Sequence, residues 1–108
     1  MKPHKREKIN SAIREAAGKY LAEKRFEKAM VTVTAVNLSK NLKRADICVS
    51  IFPEDNEKKI IQKLNRGKGL LAKYIKKNTR ITLIPLLSFS LDQGEKHRQR
   101  IDEVSREL

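Results

Sequence analysis

A chain of 108 residues with 25 Lys or Arg against 13 Asp or Glu carries a net charge of +12, and 35% of its residues are charged. That length suits a single domain, residues 1–108, with one modest core, and apolar residues recur periodically nearly end to end, which excludes a disordered basic tail. No apolar run approaches the roughly 18 residues of a membrane span, the charged N-terminus lacks a signal-peptide stretch, and the single Cys48 allows no internal disulfide, so the cytosol is the expected compartment.

Residues 5–24 have the pattern of an amphipathic helix. Ile9, Ile13, Ala16 and Tyr20 recur at i, i+4, i+7 and i+11, and Ala12, Ala17 and Leu21 widen the stripe. Gly18 inside it costs about 1 kcal/mol relative to Ala and suits close approach of another element. From Met30 to Leu38 the period changes to two, with Val31, Val33 and Ala35 set against Thr32 and Thr34, a strand signal. The polar turn from Ser39 to Arg44 leads to a second alternation, Ala45, Ile47, Val49 and Ile51 against Asp46, Cys48 and Ser50. The short connection predicts an antiparallel hairpin. Pro53 ends that strand, and Asp55 or Asn56 is the expected N-cap of the helix that follows.

Between Glu57 and Arg80 stand nine Lys or Arg and one acid, Glu57, so this stretch holds about two thirds of the net charge. Ile60, Leu64, Leu71 and Ile75 run through it at helical spacing, which makes it a folded element. Gly67-Lys68-Gly69 interrupts the pattern, at a cost of roughly 2 kcal/mol in helix propensity, and predicts a kink or a close backbone approach. On an unbroken helix Lys59, Lys63, Arg66, Lys73, Lys77 and Arg80 would share one stripe. Residues 82–91 read as a third strand, with Leu87, Phe89 and Leu91 on one face and Ser88 and Ser90 on the other. Pro85 belongs at its entrance or on an edge. Gln93 to Leu108 is predicted helical, with His97, Ile101, Val104 and Leu108 in register. The fold class is α+β, in the order α-β-β-α(kink)α-β-α, with helices on one face of a three-stranded sheet.

Catalytic chemistry finds little footing. His4 and His97 are far apart in sequence, Cys48 has no Cys or His near it, and a zinc site needs about four such ligands. A nucleophile, base and orienting acid cannot be assembled without a usable His, although a Lys-based scheme stays formally open. Glu54/Asp55 and Asp102/Glu103 read as a cap and a solvated helix face. No cofactor motif is present: Gly67-Lys68-Gly69 is neither a dinucleotide fingerprint nor a Walker loop. It also lacks the second Gly of a KH clamp, since Leu70 stands there.

Any single lysine on a helix reads as solvated surface, but an imbalance of nine to one repels itself and calls for a polyanion. Nucleic acid is the commonest such partner, and a pI near 10.1 also suits anionic lipid. Aromatic platforms for single-stranded bases are scarce, because Tyr20 and Tyr74 occupy apolar helical positions and Phe89 faces the core. That favours contact with the backbone of a structured RNA or DNA over base-by-base reading.

The residues also carry a family resemblance. Val31-Thr32-Val33-Thr34, Val36, Leu38-Ser39, Leu42, Ala45 and Val49-Ser50 resemble the hairpin of ribosome-binding factor A. Arg80 with Pro85, Leu87, Phe89 and Asp92 is similar to that family's last strand and exit. The break at Gly67-Lys68-Gly69 resembles its helix-kink-helix, in which Ala-x-Gly replaces the clamp loop of a type II KH domain. The likeness spans roughly residues 5–105. It implies a KH-like domain that binds the free, immature 30S subunit and its 16S rRNA, at the 5′-terminal helix region, and supports late maturation and rRNA processing without catalysis or cofactor. Gly67 stands where Ala is usual, which implies a looser kink. Asn41 stands where Asp is common in the hairpin turn, and Thr82 where a basic residue often precedes the proline. The chain ends at Leu108, short of the tail some members carry.

These lines converge on a non-enzymatic ribosome-biogenesis factor, cytoplasmic and monomeric, with no membrane partner. The residues expected to meet phosphate are Lys59, Lys63, Arg66, Lys68, Lys73, Lys76, Lys77 and Arg80 on the kinked helix, extended by Lys5, Arg6 and Lys8. Gly67 and Gly69 form the kink, and no metal ligand is assigned. The competing readings are a general KH-type RNA binder or RNA chaperone, a small RNA-acting enzyme, and a resident ribosomal protein.

Overall fold

The structure, a computed structural model, describes residues 3–24 and 29–92. The elements follow as α1 (Pro3–Ala22), β1 (Met30–Leu38), β2 (Arg44–Phe52), a 3-10 turn (Glu54–Asn56), α2 (Glu57–Arg66), α3 (Lys68–Asn78) and β3 (Leu86–Leu91). The helix expected over Gln93–Leu108, with His97, lies outside the described residues. Along α1, Ile13, Ala16, Ala17 and Leu21 are buried, with Ile9, Ala12 and Tyr20 half-buried beside them. That is the predicted apolar stripe, and its alanines let the helix lie close to the sheet.

The three strands form one mixed sheet in the order β1-β2-β3. β1 and β2 are the antiparallel hairpin, while β2 and β3 run parallel. A parallel pair cannot be joined by a tight turn and needs a crossover. Here α2 and α3 are that crossover. Ala45, Ile47, Val49 and Ile51 of β2, with Leu87 and Phe89 of β3, turn toward the helices and bury against Ile13, Ile60, Leu64, Leu71 and Ile75 in a single cluster. Asp46, Cys48 and Ser50 alternate onto the opposite face.

Two strand readings need correcting. In β1 the register shifts between Val33 and Ala35. An extra residue changes the phase, so Val36 and Leu38 rather than Ala35 continue the core face begun by Val31 and Val33. Thr34, at the shift, donates its hydroxyl to the Cys48 carbonyl at 3.2 Å. The third strand begins at Leu86 rather than Thr82. Pro85 has no N–H to offer a ladder, and pairing starts where the Leu86 amide reaches the Lys43 carbonyl at 2.8 Å.

The helix after β2 starts at Glu57 with Asn56 as its N-cap, and no side chain caps it. At the far end of the sheet, the hairpin turn is closed by its own polar side chains. Asn41 Oδ1 accepts the Ser39 hydroxyl at 2.8 Å and the Lys43 amide at 3.0 Å. A carboxylate would accept the same pair, so Asn41 fills the position where Asp is common. Leu42 is held in the left-handed region at φ 62. Arg6 of α1 donates to the carbonyls of Ser39 at 3.0 Å and Leu38 at 2.5 Å, and Asn10 donates to Val36 at 2.6 Å. These bonds pin the start of α1 over the end of β1.

The outer edge of β3 is closed by a side chain. Leu86 and Asp92 aim their amides at β2, so the alternation turns Phe89 the other way. There Asn65 of α2 acts as a substitute strand: its Oδ1 accepts the Phe89 amide at 2.9 Å and its Nδ2 donates to the Phe89 carbonyl at 3.2 Å. Asn65→Leu leaves both backbone groups unpaired under α2 and should lower the unfolding free energy by about 1–3 kcal/mol, read from the urea midpoint. An unchanged midpoint would show the pairing to be dispensable.

Candidate nucleic-acid interface

The kinked pair α2–α3 buries one stripe and exposes the other. Ile60 and Leu64 anchor α2, and Leu71 and Ile75 anchor α3. Lys59, Lys63 and Arg66 are exposed on α2, Lys73, Lys76 and Lys77 on α3, and Arg80 just beyond it, while Lys68 is half-buried at the junction. The expected cations therefore lie on the side of the helix layer that the sheet does not cover. Lys58, counted in the charge but not assigned to the site, is exposed on α2 with them.

Gly67 is at once the C-cap of α2 and the N-cap of α3, at φ −89 and ψ 7. That conformation is open to any residue. A Cβ on Gly67 would meet only the carbonyls of Lys63 and Leu64, at 3.6 and 3.8 Å, and one on Gly69 or Gly18 would meet nothing within 4 Å. The close approach expected at these glycines is not made by the described residues. What the break does create is a second helix start. α3 has no side-chain cap and no acid in its first turn, and its start is flanked in sequence by Arg66 and Lys68. A helix terminus of that kind favours an anion.

At the N-terminal end Lys5 and Lys8 are exposed, whereas the guanidinium of Arg6 is engaged with the turn carbonyls. Lys5 and Lys8 line a groove shared with Arg80 and with Lys43 from the hairpin turn. Lys43 was not among the expected site residues. Its only sequence signal is one charge in a polar turn, and topology alone brings it to the N-terminal helix. Thr79 sets the exit from α3 toward this groove: its hydroxyl donates to the Ile75 carbonyl at 2.7 Å and accepts the Ile81 amide at 3.2 Å.

The aromatic rings serve packing. Tyr20 and Tyr74 meet at 5.4 Å between centroids, joining α1 to α3, and Phe89 is buried. Phe52 is exposed, but it lies across from Met30 on the sheet face turned from the helices. That face carries a polar cluster in which Asp46 accepts the hydroxyls of Ser88 at 3.2 Å and Ser90 at 2.8 Å, with Cys48 Sγ 3.6 Å from Ser90 Oγ. Burial, and then the nearby Asp46 carboxylate, push the Cys48 thiol up from its ordinary value, against an opposing hydrogen bond from Ser90. The thiol is thus held protonated at neutral pH and is a poor nucleophile. Among the described residues no group of three His, Cys, Asp or Glu could hold a metal, and no helix is long and apolar enough to cross a membrane.

Comparison with known proteins gives a consistent result. The family model for ribosome-binding factor A matches residues 5–105. The ribosome-binding factor A of Coprothermobacter proteolyticus is 29% identical over 110 residues, covering 100% of this chain and 80% of that protein. That of Dictyoglomus thermophilum is 30% identical over 108 residues, covering 96% and 90%. Among solved structures, a Thermotoga maritima protein described as a putative ribosome binding factor A superposes with TM-score 0.61 at 34% identity, over 87% of this chain and 93% of that one. The crystal structure of ribosome-binding factor A from Thermus thermophilus gives TM-score 0.71 at 20% identity, over 82% and 96%. A homology model of the Thermus protein, fitted into a cryo-EM map of a 30S complex, gives 0.65 at 22% identity, over 75% and 88%.

Two outcomes follow from this geometry. Arg6→Met should cost about 1–2 kcal/mol of unfolding free energy, while Lys5→Met and Lys8→Met stay within about 0.5 kcal/mol; equal effects in urea would show that Arg6 is no tie. Iodoacetamide at pH 8 should label Cys48 more slowly than free cysteine, and Asp46→Asn should speed labelling by removing a charge that opposes the thiolate. Slower labelling of the variant would reverse that assignment.

Proposed function

The chain belongs to the ribosome-binding factor A family, and on that premise we propose that it docks on the immature 30S subunit through phosphate contacts made by α2 and α3. One observation carries the reading: a folded, bent helical pair anchored by Ile60, Leu64, Leu71 and Ile75 exposes its cations on the side away from the sheet. Lys59, Lys63, Arg66, Lys68, Lys73, Lys76, Lys77 and Arg80 form this ridge, and Lys5 and Lys8 extend it past the end of α3. At the bend, Arg66 and Lys68 flank the start of α3, and the surface over Gly69 is open. The target is folded 16S rRNA, in the 5′-terminal helix region, during late maturation and rRNA processing in the cytoplasm. The protein acts as a monomer and without catalysis: preferential binding to one RNA conformation shifts a folding equilibrium by the difference in affinity alone.

Cosedimentation with separated ribosomal particles at several ionic strengths tests this. With about six phosphates neutralised, log affinity for free 30S subunits falls against log salt with a slope of about −4 to −5. Arg66→Glu, Lys68→Glu and Lys73→Glu together should abolish association while circular dichroism stays unchanged. A salt-insensitive affinity, or a charge-reversed protein that still cosediments, would overturn the proposal. Equal affinity for unstructured oligonucleotides would point instead to a general RNA binder.

A further inference from the structure

The groove beyond the end of α3 differs in chemistry from the ridge. It has a volume of about 810 Å³ and lies between the start of α1, the hairpin turn and residues 80–85. Lys5, Lys8, Lys43 and Arg80 stand around it, and no described residue lining it is acidic. Between these cations the surface is aliphatic, supplied by Ile9, Leu42, Ile81, Leu83 and Ile84. Leu83 is 87% exposed, an unusual position for a leucine in a segment with no helix or strand to dictate it.

Leu42 adds a second observation. A bulky residue in the left-handed region is strained, and Gly or Asn would hold the turn at lower cost. The leucine there is half-buried against the core and also lines the groove.

We infer that this groove docks an acidic, aliphatic helical segment of a partner protein, its leucine-like side chains on Leu42, Leu83 and Ile84 and its carboxylates on Lys5, Lys8, Lys43 and Arg80. The charge sign selects an anionic partner, and the floor selects among anions. RNA offers phosphates, but no aromatic ring lies in the groove on which a base could stack. An amphipathic helix uses both features, its apolar face displacing water from the floor while its flanks meet the rim. The site shares Lys5, Lys8 and Arg80 with the extended ridge, while Lys43 and the aliphatic floor belong to the groove alone.

The test uses the full chain and a synthetic helical peptide of about four turns, with Leu along one face and Glu along the other. The expected result is saturable binding that shifts the methyl resonances of Leu42, Leu83 and Ile84. Leu83→Ser, at an exposed position where folding is not at stake, should weaken it at least about ten-fold and leave 30S cosedimentation unchanged. Lys5→Glu with Lys8→Glu should weaken the peptide similarly. Polyglutamate binding as tightly as the peptide, or methyls left unmoved, would overturn the inference. So would a single-stranded RNA oligonucleotide shifting the same methyls more strongly than the peptide.

Discussion

Along β2 the residues Ala45, Ile47, Val49 and Ile51 face the helices while Asp46, Cys48 and Ser50 face away, and both neighbouring strands hang on this alternation. A slip of one residue would carry Asp46 and Cys48 under α2 and expose Ile47 and Val49. The register is therefore held by burial on one face and by hydrogen bonds on the other, where Asp46 gathers Ser88 and Ser90 from β3. β1, by contrast, absorbs its mismatch locally, with the Thr34 hydroxyl bonded across to β2. The central strand stays regular, and α2 and α3 are positioned by what it presents to them.

The described residues divide their charge unevenly between the two layers. The helix layer exposes cations that have one acid among them between Glu57 and Arg80. Among the described residues the opposite sheet face presents hydroxyls, a thiol, Asp46 and Arg44. Such separation weakens the isolated fold through like-charge repulsion and orients its approach to a polyanion before contact.

Much of this was legible in the residues. Alternation gave the hairpin, helical spacing gave α1, and Gly67-Lys68-Gly69 marked the break, which falls at Gly67 while Gly69 lies inside α3. The cations of α2 and α3 could be placed because Ile60, Leu64, Leu71 and Ile75 define the opposite side. What stayed hidden depends on contacts distant in sequence. The bulge at Thr34 is invisible to a period-two pattern, because Val36 and Ala35 are both acceptable on an apolar face. Arg6 reads like any other helix cation until the carbonyls of Leu38 and Ser39 are found beside it. Lys43 joins Lys5 and Arg80 only through the topology, and Asn65 looks like a surface amide until its side chain is found paired with the Phe89 backbone.

The parallel pairing of β2 with β3 has a consequence for synthesis. Asp46 meets Ser88 across 42 residues of chain, and the intervening segment is the cationic crossover itself. While the polypeptide emerges from N- to C-terminus, the lysine-rich helices are therefore made before the strand that completes the floor beneath them. Loop closure over that span must precede any reward from the contact. The cationic helix layer gains its floor only once Leu86–Leu91 has been released, so nascent chains carry the charge without the geometry.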